Sequence, residues 1–303
     1  MSKEKLKEDI GKLKAAKNAV ILAHNYQIPD IQDIADELGD SLGLSKISRD
    51  RPEDFIVFCG VRFMAETAKI LSPQKRVLLP ALNAGCPLAD AIEPQELREL
   101  KEKHPDAWVV SYVNTSAEVK ALSDVCCTSA NAIKVVKNVP VKKIIFTPDK
   151  NLGWWVQKNV PQKELIIWPG GCYVHEKFML DDLKGARKNY PDAEILVHPE
   201  CHKDILKEAD YVLSTSGMVK RAKESAAKQL IIGTEAGLIY RLKKENPDKE
   251  FYSLGAARIC SNMKKITLNE LYESLRDEVY EIKLDSDIIK KAQLALERMV
   301  QYV

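Results

Sequence analysis

Three of the seven cysteines recur at an almost constant spacing along the 303-residue chain. Cys86, Cys172 and Cys260 lie 86 and 88 residues apart, and small residues precede each of them. Small residues let the backbone approach a bulky inorganic group and offer N–H groups to its sulfides. Three thiolates therefore suit a [4Fe–4S] cluster with one iron left open, which can act as a Lewis acid. Three cysteines and a water molecule could instead bind Zn²⁺, and a single cysteine is by default a buried, inert side chain.

The other four cysteines do not share this spacing, and we expect them to be structural. Cys59 ends an apolar run, Cys126 and Cys127 precede a hydroxyl-rich turn, and Cys201 follows a histidine and a glutamate. An odd number of widely spaced cysteines does not indicate a disulfide framework.

Aromatic rings and hydroxyl groups repeat with the same period as the cysteines. The rings belong to His24, Tyr112 and His198, which lie 88 and 86 residues apart and end apolar runs. The hydroxyl-rich turns are Asp40-Ser41, Thr128-Ser129 and Ser214-Thr215. Three features that share one period predict three homologous lobes of about 87 residues each.

Nine apolar runs are predicted to be strands, and their alternation with helical stretches is typical of parallel α/β folds. They are Ala19–Ala23, Phe55–Cys59, Arg76–Leu79, Trp108–Val113, Lys143–Phe146, Glu164–Trp168, Glu194–Val197, Gln229–Ile232 and Glu250–Ser253. The sequence thus predicts an α/β protein with three parallel-sheet lobes, each a three-layer sandwich, around a pseudo-threefold axis.

The predicted first lobe comprises residues 1–86 and 262–303, so that both terminal segments pack on it, the second comprises 87–172, and the third comprises 173–261. In parallel α/β sheets, ligands bind outside the carboxyl ends of the strands. Because the repeated polar residues follow strand ends, the three lobes are expected to direct them into one central active site.

Composition and motifs exclude several classes of function. A net charge of +2, from 46 basic and 44 acidic residues, gives no electrostatic basis for binding nucleic acid or an anionic membrane. No apolar run reaches the roughly 18 residues that a transmembrane helix needs, and the charged N-terminal pattern differs from a signal peptide. We therefore expect a cytoplasmic protein with no nucleic-acid or membrane partner.

Glycine-rich nucleotide-binding loops are absent from the sequence. His198 and Glu200 partly match a zinc deaminase signature, but that site also needs a Cys-x-x-Cys pair, which the sequence does not contain.

Nine short motifs, in order along the chain, resemble those of the quinolinate synthase family. They are His24-Asn25-Tyr26-Gln27, Gly39-Asp40-Ser41-Leu42, Phe63-Met64-Ala65-Glu66, Tyr112-Val113-Asn114-Thr115-Ser116, Thr128-Ser129-Ala130-Asn131-Ala132, His198-Pro199-Glu200-Cys201, Ser214-Thr215-Ser216-Gly217-Met218, Gly233-Thr234-Glu235 and Asn262-Met263-Lys264. The resemblance spans nearly the whole chain and is more specific than any one motif.

The resemblance implies a reaction, a cofactor and a set of site residues. Members of the family condense iminoaspartate with dihydroxyacetone phosphate, release phosphate and two waters, and form the pyridine ring of NAD. An enzyme that oxidises L-aspartate supplies the iminoaspartate. The resemblance implies a [4Fe–4S] cluster with one open iron on Cys86, Cys172 and Cys260. The implied substrate-binding residues are His24, Ser41, Tyr112, Asn114, Ser129, His198, Glu200, Ser214, Thr215 and Thr234, and the implied catalytic residues are Tyr26, Glu200 and His175.

One feature of the chain departs from the family pattern. Some members carry a Cys-x-x-Cys pair at the third ligand that can form a disulfide. Here the segment is Cys260-Ser261-Asn262-Met263, so this redox switch is expected to be absent.

The chemistry of the residues agrees with these positions. Both substrates are anions, and hydroxyl-bearing turns that enter helices offer free N–H groups to anions. His24 and His198 can donate hydrogen bonds and would add charge if protonated. Tyr26 and Glu200 are natural general acid/base candidates.

Two alternative functions remain open. One is an iron–sulfur redox sensor. The other is an aconitase-like hydro-lyase, which only assays with dihydroxyacetone phosphate would distinguish from a quinolinate synthase.

Overall fold

The computed structural model describes residues 2–302, which form three sheets of four parallel strands. The first sheet contains β1 (Ala19–His24), β2 (Glu37–Gly39), β3 (Phe55–Cys59) and β4 (Arg76–Leu78). The second contains β5 (Trp108–Tyr112), β6 (Val125–Cys127), β7 (Lys143–Thr147) and β8 (Glu164–Ile167). The third contains β9 (Glu194–Val197), β10 (Tyr211–Val212), β11 (Gln229–Gly233) and β12 (Glu250–Ser253). Their strand orders are β2-β1-β3-β4, β6-β5-β7-β8 and β10-β9-β11-β12.

Helices connect the strands and cover the sheets. They are α1 (Lys3–Ala16), α2 (Pro29–Ile34), α3 (Ser41–Asp50), α4 (Arg62–Leu71), α5 (Pro94–Lys103), α6 (Ala117–Ala121), α7 (Ala132–Asn138), α8 (Lys150–Asn159), α9 (Leu180–Asn189), α10 (Lys203–Glu208), α11 (Thr215–Glu224), α12 (Gly237–Glu245), α13 (Leu268–Asp277) and α14 (Ser286–Gln301). Short 3₁₀ turns occupy His175–Lys177 and Met263–Lys265, three residues after Cys172 and Cys260.

The identical strand order of the three sheets confirms the predicted α/β class with three parallel-sheet lobes. All nine predicted strands are present, with ends that differ by at most one residue. The sequence did not predict β2, β6 and β10, which occupy the same edge position in the three sheets. Each has only two or three residues, too few to show a hydrophobic periodicity. The predicted lobe boundaries fall between the sheets and stay a prediction.

The central strands of the three sheets carry the repeated rings to equivalent positions. β1 ends at His24, β5 ends at Tyr112, and His198 directly follows β9. These strands are buried on both faces after their first residue, which explains their nearly continuous apolar sequences. Because the strands are parallel, the turns after them lie at the same edge of each sheet.

The hydrophobic core joins the first two lobes. One continuous cluster covers the first sheet and part of the second, whereas the third sheet has a separate cluster on each face. Helix α14 contacts α6 and β6 as well as α4, so the C-terminal helix bridges two lobes rather than packing on the first alone. Within residues 2–302, no helix is both long enough and apolar enough to cross a membrane.

Candidate active site

The three lobes meet at a cavity lined by residues from all three of them. It brings together most of the predicted site residues: His24, Tyr26, Ser41, Tyr112, Asn114, Ser129, His175, His198, Glu200 and Thr215, with Cys86, Cys172 and Cys260. Two other candidates are buried beside it. Thr234 lies behind Tyr26 and His175, and Ser214 caps α11 by accepting a hydrogen bond from the Gly217 N–H at 3.2 Å.

Each cysteine loop is held by an equivalent backbone hydrogen bond. The N–H donor lies three residues after the third strand of its lobe, and the carbonyl acceptor lies two residues before the cysteine. The pairs are Arg62 to Ala84 at 2.8 Å, Lys150 to Gly170 at 2.8 Å, and Ala236 to Arg258 at 2.9 Å. The repeat in the sequence is therefore a repeat of loop structure, which brings one cysteine from each lobe to the cavity.

The thiols of these three cysteines are free and only partly buried. Backbone N–H groups near two of the sulfurs favour the thiolate, namely those of Ala89 and Leu88 at Cys86 and those of His175 and Val174 at Cys172. Burial raises the pKa of the Cys86 thiol to about 12, and burial together with the charge of Glu200 raises the pKa of Cys172 well above its usual value. Amide donors to sulfur are characteristic of thiolates that bind iron, so this donor set fits an iron–sulfur cluster. A bound metal cation would supply the positive charge that these thiols need to ionise.

Tyr173 links the second and third cysteine loops. Its hydroxyl lies 3.6 Å from Cys260 Sγ and accepts a hydrogen bond from the Ser261 N–H at 3.0 Å. The residue next to one cysteine therefore contacts the sulfur of another.

His24 and His198 have the same hydrogen bonding at equivalent strand ends. The N–H of Tyr26 donates to His24 Nδ1 at 3.2 Å, and the N–H of Glu200 donates to His198 Nδ1 at 3.4 Å. A backbone N–H can only donate, so each Nδ1 is an acceptor and the proton of the neutral ring lies on Nε2. Both rings thus offer an Nε2–H donor, and that of His198 lies 3.2 Å from Ser129 Oγ.

Both histidines are neutral at physiological pH. Burial lowers the pKa of His24 to about 3, and the positive charge of Lys264 lowers it further. Burial also lowers the pKa of His198 to about 3, although the nearby carboxylate of Glu200 opposes that shift. The two rings therefore act as hydrogen-bond donors without the positive charge that protonation would add.

A chain of hydrogen bonds connects Tyr26 to Glu200 through Thr234 and His175. Tyr26 Oη lies 2.5 Å from Thr234 Oγ1, Thr234 Oγ1 lies 2.8 Å from His175 Nε2, and His175 Nδ1 lies 2.8 Å from Glu200 Oε2. An ionised carboxylate only accepts, so His175 donates to it from Nδ1. In the neutral ring Nε2 then accepts from Thr234, and Thr234 in turn accepts from the Tyr26 hydroxyl.

Glu200 is buried but remains ionised. Burial raises the pKa of its carboxyl group, but the imidazoles of His198 and His175 and hydrogen bonds from His175 and Tyr112 outweigh burial and lower the pKa to about 2. The Asn114 amide also donates to Oε1 at 3.3 Å. Burial raises the pKa of Tyr26 and Tyr112 well above their usual values, so both phenols keep their protons.

Cys172, His175 and Glu200 form a second group that could hold a metal ion, since one donor atom from each lies within 4.8 Å of the others. The 2.8 Å between His175 Nδ1 and Glu200 Oε2 is a hydrogen-bond distance. Two ligand atoms on a tetrahedral Zn²⁺ lie about 3.3 Å apart, given metal–ligand bonds of about 2.0 Å. His175 is also hydrogen-bonded at both nitrogens. The arrangement therefore favours a hydrogen-bond role for His175 and Glu200.

Several residues that support the site were quoted in motifs but received no role from the sequence. Asn25 is fully buried and donates to Thr215 Oγ1 at 3.0 Å, while its own oxygen accepts from Arg241 at 2.7 Å. Asp40 caps α3 through Gly43 at 2.8 Å and accepts from the Ser216 hydroxyl at 2.6 Å. In the sequence, the position of Asn25 between His24 and Tyr26 was the signal that could have indicated a role in the site. Its hydrogen-bond partners could not be read from the sequence, because they lie more than 180 residues away.

The four cysteines outside the repeat are fully buried, as predicted for structural residues. Cys59 lies in β3 and Cys201 packs beneath the site. Cys126 and Cys127 do precede the hydroxyl-rich turn, but they form part of the unpredicted strand β6.

The fold and the site define an enzyme with a composite active site. The lobes of a parallel α/β fold join buried acid–base groups, hydrogen-bond donors and free thiols in one cavity.

Residues 8–301 match the family described as Quinolinate synthetase A protein, NadA. Proteins named quinolinate synthase are similar over nearly their full length. The protein of Caldicellulosiruptor saccharolyticus is 53% identical over 301 residues, which cover 99% of this chain and 99% of the relative. That of Thermodesulfovibrio yellowstonii is 53% identical over 296 residues, with 98% of each chain covered. That of Aquifex aeolicus is 49% identical over 309 residues, covering 99% of this chain and 96% of the relative.

The chain belongs to the quinolinate synthase family of enzymes.

Proposed function

We propose that this enzyme condenses iminoaspartate with dihydroxyacetone phosphate to give quinolinate, phosphate and two waters. The observation that carries the proposal is the cavity that joins three thiols, one from each lobe, to the hydrogen-bond chain from Tyr26 to Glu200. An enzyme that oxidises L-aspartate would supply the iminoaspartate.

Neutral donors would bind the two anionic substrates. The Nε2–H groups of His24 and His198 and the hydroxyls of Ser41, Ser129 and Thr215 border the cavity. Asn25 donates to Thr215 Oγ1, so the Thr215 hydroxyl proton is free to point to a ligand. Helices α3 and α11 begin at Ser41 and Thr215, and their N-terminal N–H groups add a favourable dipole for carboxylate or phosphate.

Tyr26 would give and take the protons of the isomerisation and the dehydrations. Its phenol keeps its proton at neutral pH because burial raises its pKa. When Tyr26 Oη takes a proton from the substrate, its own proton can pass to Thr234 and that of Thr234 to His175 Nε2, and the reverse transfer returns a proton to the substrate. Glu200 would stabilise the His175 ring while these protons move, because its carboxylate accepts from Nδ1.

Cys86, Cys172 and Cys260 would hold a [4Fe–4S] cluster. When bound there, the cluster would supply an open iron that acts as a Lewis acid on a substrate oxygen. The partial burial of the three sulfurs and the amide donors to Cys86 and Cys172 support this assignment over an isolated structural role.

An assay under anaerobic conditions tests the proposal. The protein is purified and reconstituted without oxygen, then supplied with dihydroxyacetone phosphate and with iminoaspartate freshly generated by oxidation of L-aspartate. We expect one quinolinate and one phosphate per turnover, measured by mass spectrometry and phosphate analysis. A protein that loads iron but converts hydroxy acids by dehydration, with no quinolinate formed, would identify a hydro-lyase instead.

A further inference from the structure

A buried carboxylate at the end of β11 contacts the backbone of the third cysteine. Glu235 is fully buried. Its Oε1 accepts from the Cys260 N–H at 3.0 Å, and its Oε2 accepts from the Gly237 N–H at 2.7 Å. The Lys264 ammonium lies 2.9 Å from Oε1 and 3.1 Å from Oε2. One carboxylate thus holds a cysteine loop, the start of α12 and a lysine.

Lys264 extends this group to the first lobe. Its ammonium also donates to the backbone carbonyl of Tyr26, 238 residues away in the sequence. A Cβ atom at Gly237 would lie 2.8 Å from Glu235 Oε2, from Lys264 Nζ and from the Tyr26 carbonyl oxygen. These three groups therefore converge on one point, which only a residue without a side chain leaves open.

The repeat does not require this arrangement. The positions equivalent to Glu235 in the other lobes, two residues after the third strand, hold Val61 and Asp149. Asp149 instead caps α8 through the Leu152 N–H at 2.7 Å. The positions equivalent to Lys264, four residues after the cysteine, hold the acids Asp90 and Glu176. The carboxylate and the lysine are thus a specialisation of the third lobe.

The ion pair of Glu235 and Lys264 is better suited to fix the geometry of the site than to stabilise the fold. Removing a carboxylate and an ammonium from water offsets much of their attraction, so an apolar pair would serve stability as well. Thr234, the residue before Glu235, contacts the Tyr26 hydroxyl and His175. Adjacent residues of one turn therefore hold the hydroxyl of Tyr26, its carbonyl through Lys264, and the amide of Cys260.

We propose that Glu235 and Lys264 are positioning residues that keep the cluster ligand Cys260 and the proton donor Tyr26 in a fixed relative placement. The proposal rests on the proposed function in that Cys260 binds the cluster. Glu235 acts on the Cys260 side through its contact with the amide, and Lys264 acts on the Tyr26 side through its contact with the carbonyl.

Three measurements on the same variants test this division. Amide hydrogen exchange of the peptide that contains Cys260 reports the loop with or without iron. Iron release to a chelator from the reconstituted enzyme reports the cluster, and anaerobic kinetics report kcat and KM. Glu235→Ala should speed exchange at Cys260 and iron release by about tenfold each, because the amide loses its acceptor, while the Cys86 peptide exchanges as in the unchanged protein.

Lys264→Met should lower kcat more than it raises KM, and it should affect iron release less than Glu235→Ala does. Lys264→Arg should keep most of kcat.

Glu194→Gln is the matched control. It removes the Glu194–Arg221 ion pair at the end of β9 away from the cavity and should change none of the three readouts. If Glu235→Ala does not fold, Glu235→Gln keeps one acceptor oxygen for two amides and should show the same changes in smaller measure.

Unchanged exchange at Cys260 and unchanged iron release in the Glu235 variants would overturn the proposal. Failure of the cluster assignment can be told apart from failure of this proposal. If the unchanged protein holds no iron but Glu235→Ala still speeds exchange at the Cys260 amide, the cluster assignment is wrong and the positioning role stands.

Discussion

The hydroxyl oxygens of Tyr26 and Thr234 lie 2.5 Å apart, although the residues are 208 positions apart and belong to different lobes. This contact exists only when the first and third lobes are correctly placed. It makes the acidity of one phenol depend on a threonine and, through it, on His175.

Replacing Tyr26 with phenylalanine tests the proton-transfer role. Tyr26→Phe keeps the ring and loses the hydroxyl, so it should keep the fold, the iron content and substrate binding. It should lower kcat by about 10²- to 10⁴-fold, the usual contribution of one general acid/base. Anaerobic steady-state kinetics measure the loss.

Thr234 and a distant tyrosine provide the controls for Tyr26→Phe. Thr234→Ser keeps the connecting hydroxyl and should retain more activity than Thr234→Val. Tyr190→Phe changes a phenol that stacks on Tyr252 away from the cavity and should leave kcat unchanged. Full turnover in Tyr26→Phe would remove Tyr26 from the mechanism and leave Glu200 as the leading acid/base.

The hydroxyls that border the cavity should affect binding more than chemistry. Ser41→Ala and Thr215→Val each remove one donor to an anion, so they should raise KM by about tenfold and change kcat less. Ser225→Ala is a control directly after the far end of α11, because its hydroxyl accepts from the Ala227 N–H at 3.0 Å and does not line the cavity. A large fall in kcat with unchanged KM would mean that these hydroxyls act in the transition state alone.

Cysteine variants separate the proposed ligands from the structural thiols. Cys86→Ser, Cys172→Ser and Cys260→Ser should abolish stable iron binding and activity. Cys59→Ala, Cys127→Ala and Cys201→Ala remove fully buried thiols and should keep the iron, with some loss of stability. Iron analysis and the broad absorption near roughly 400 nm expected of an iron–sulfur centre measure the difference. Full iron and activity in any of the first three variants would contradict the ligand assignment.

Oxygen should inactivate the enzyme, whereas thiol reductants should not switch it. An open iron is accessible to oxidants, so air should bleach the protein together with its activity. The segment after Cys260 carries no second cysteine for a local disulfide, and all seven cysteines are free. Activity measured before and after dithiothreitol under anaerobic conditions should therefore agree. A reversible gain of activity with the thiol would indicate a disulfide elsewhere.

The repeat could be predicted from the sequence because each lobe must place the same kinds of groups at the carboxyl end of its central strand. His24, Tyr112 and His198 mark those ends, and the strands that carry them are apolar enough to be recognised. The edge strands β2, β6 and β10 could not be predicted in this way, since two or three residues carry no periodic signal.

Contacts between distant segments were beyond the reach of the sequence. Nothing local shows that Lys264 reaches the carbonyl of Tyr26, or that Glu235 accepts from Cys260. The charge of the histidines also could not be predicted, because it depends on burial: the sequence allows His24 and His198 to be cations, whereas burial in the folded protein keeps them neutral.

The neutral histidines make stability depend on pH. In the unfolded chain each imidazole has a pKa near 6.5, whereas in the folded protein the pKa of His24 and of His198 is about 3. As the pH falls below 6.5, the unfolded chain binds protons that the folded protein does not bind until about pH 3. Stability is therefore fully present above pH 6.5 and is lost as the pH falls through this window, and Glu200, with a pKa lowered to about 2, adds to the loss below pH 4.5.

Chemical unfolding at fixed iron content should show a free energy of unfolding lower by about 2 kcal/mol at pH 5.5 than at pH 7.0, from the two histidines together. His24→Asn and His198→Asn should each remove about half of this difference, since asparagine keeps an acceptor for the neighbouring backbone N–H but has no proton to bind. His202→Asn changes an exposed histidine and should keep the full difference. If neither buried-site variant alters the pH dependence, then each ring has the same pKa in the folded and the unfolded protein, and burial does not hold the two rings neutral.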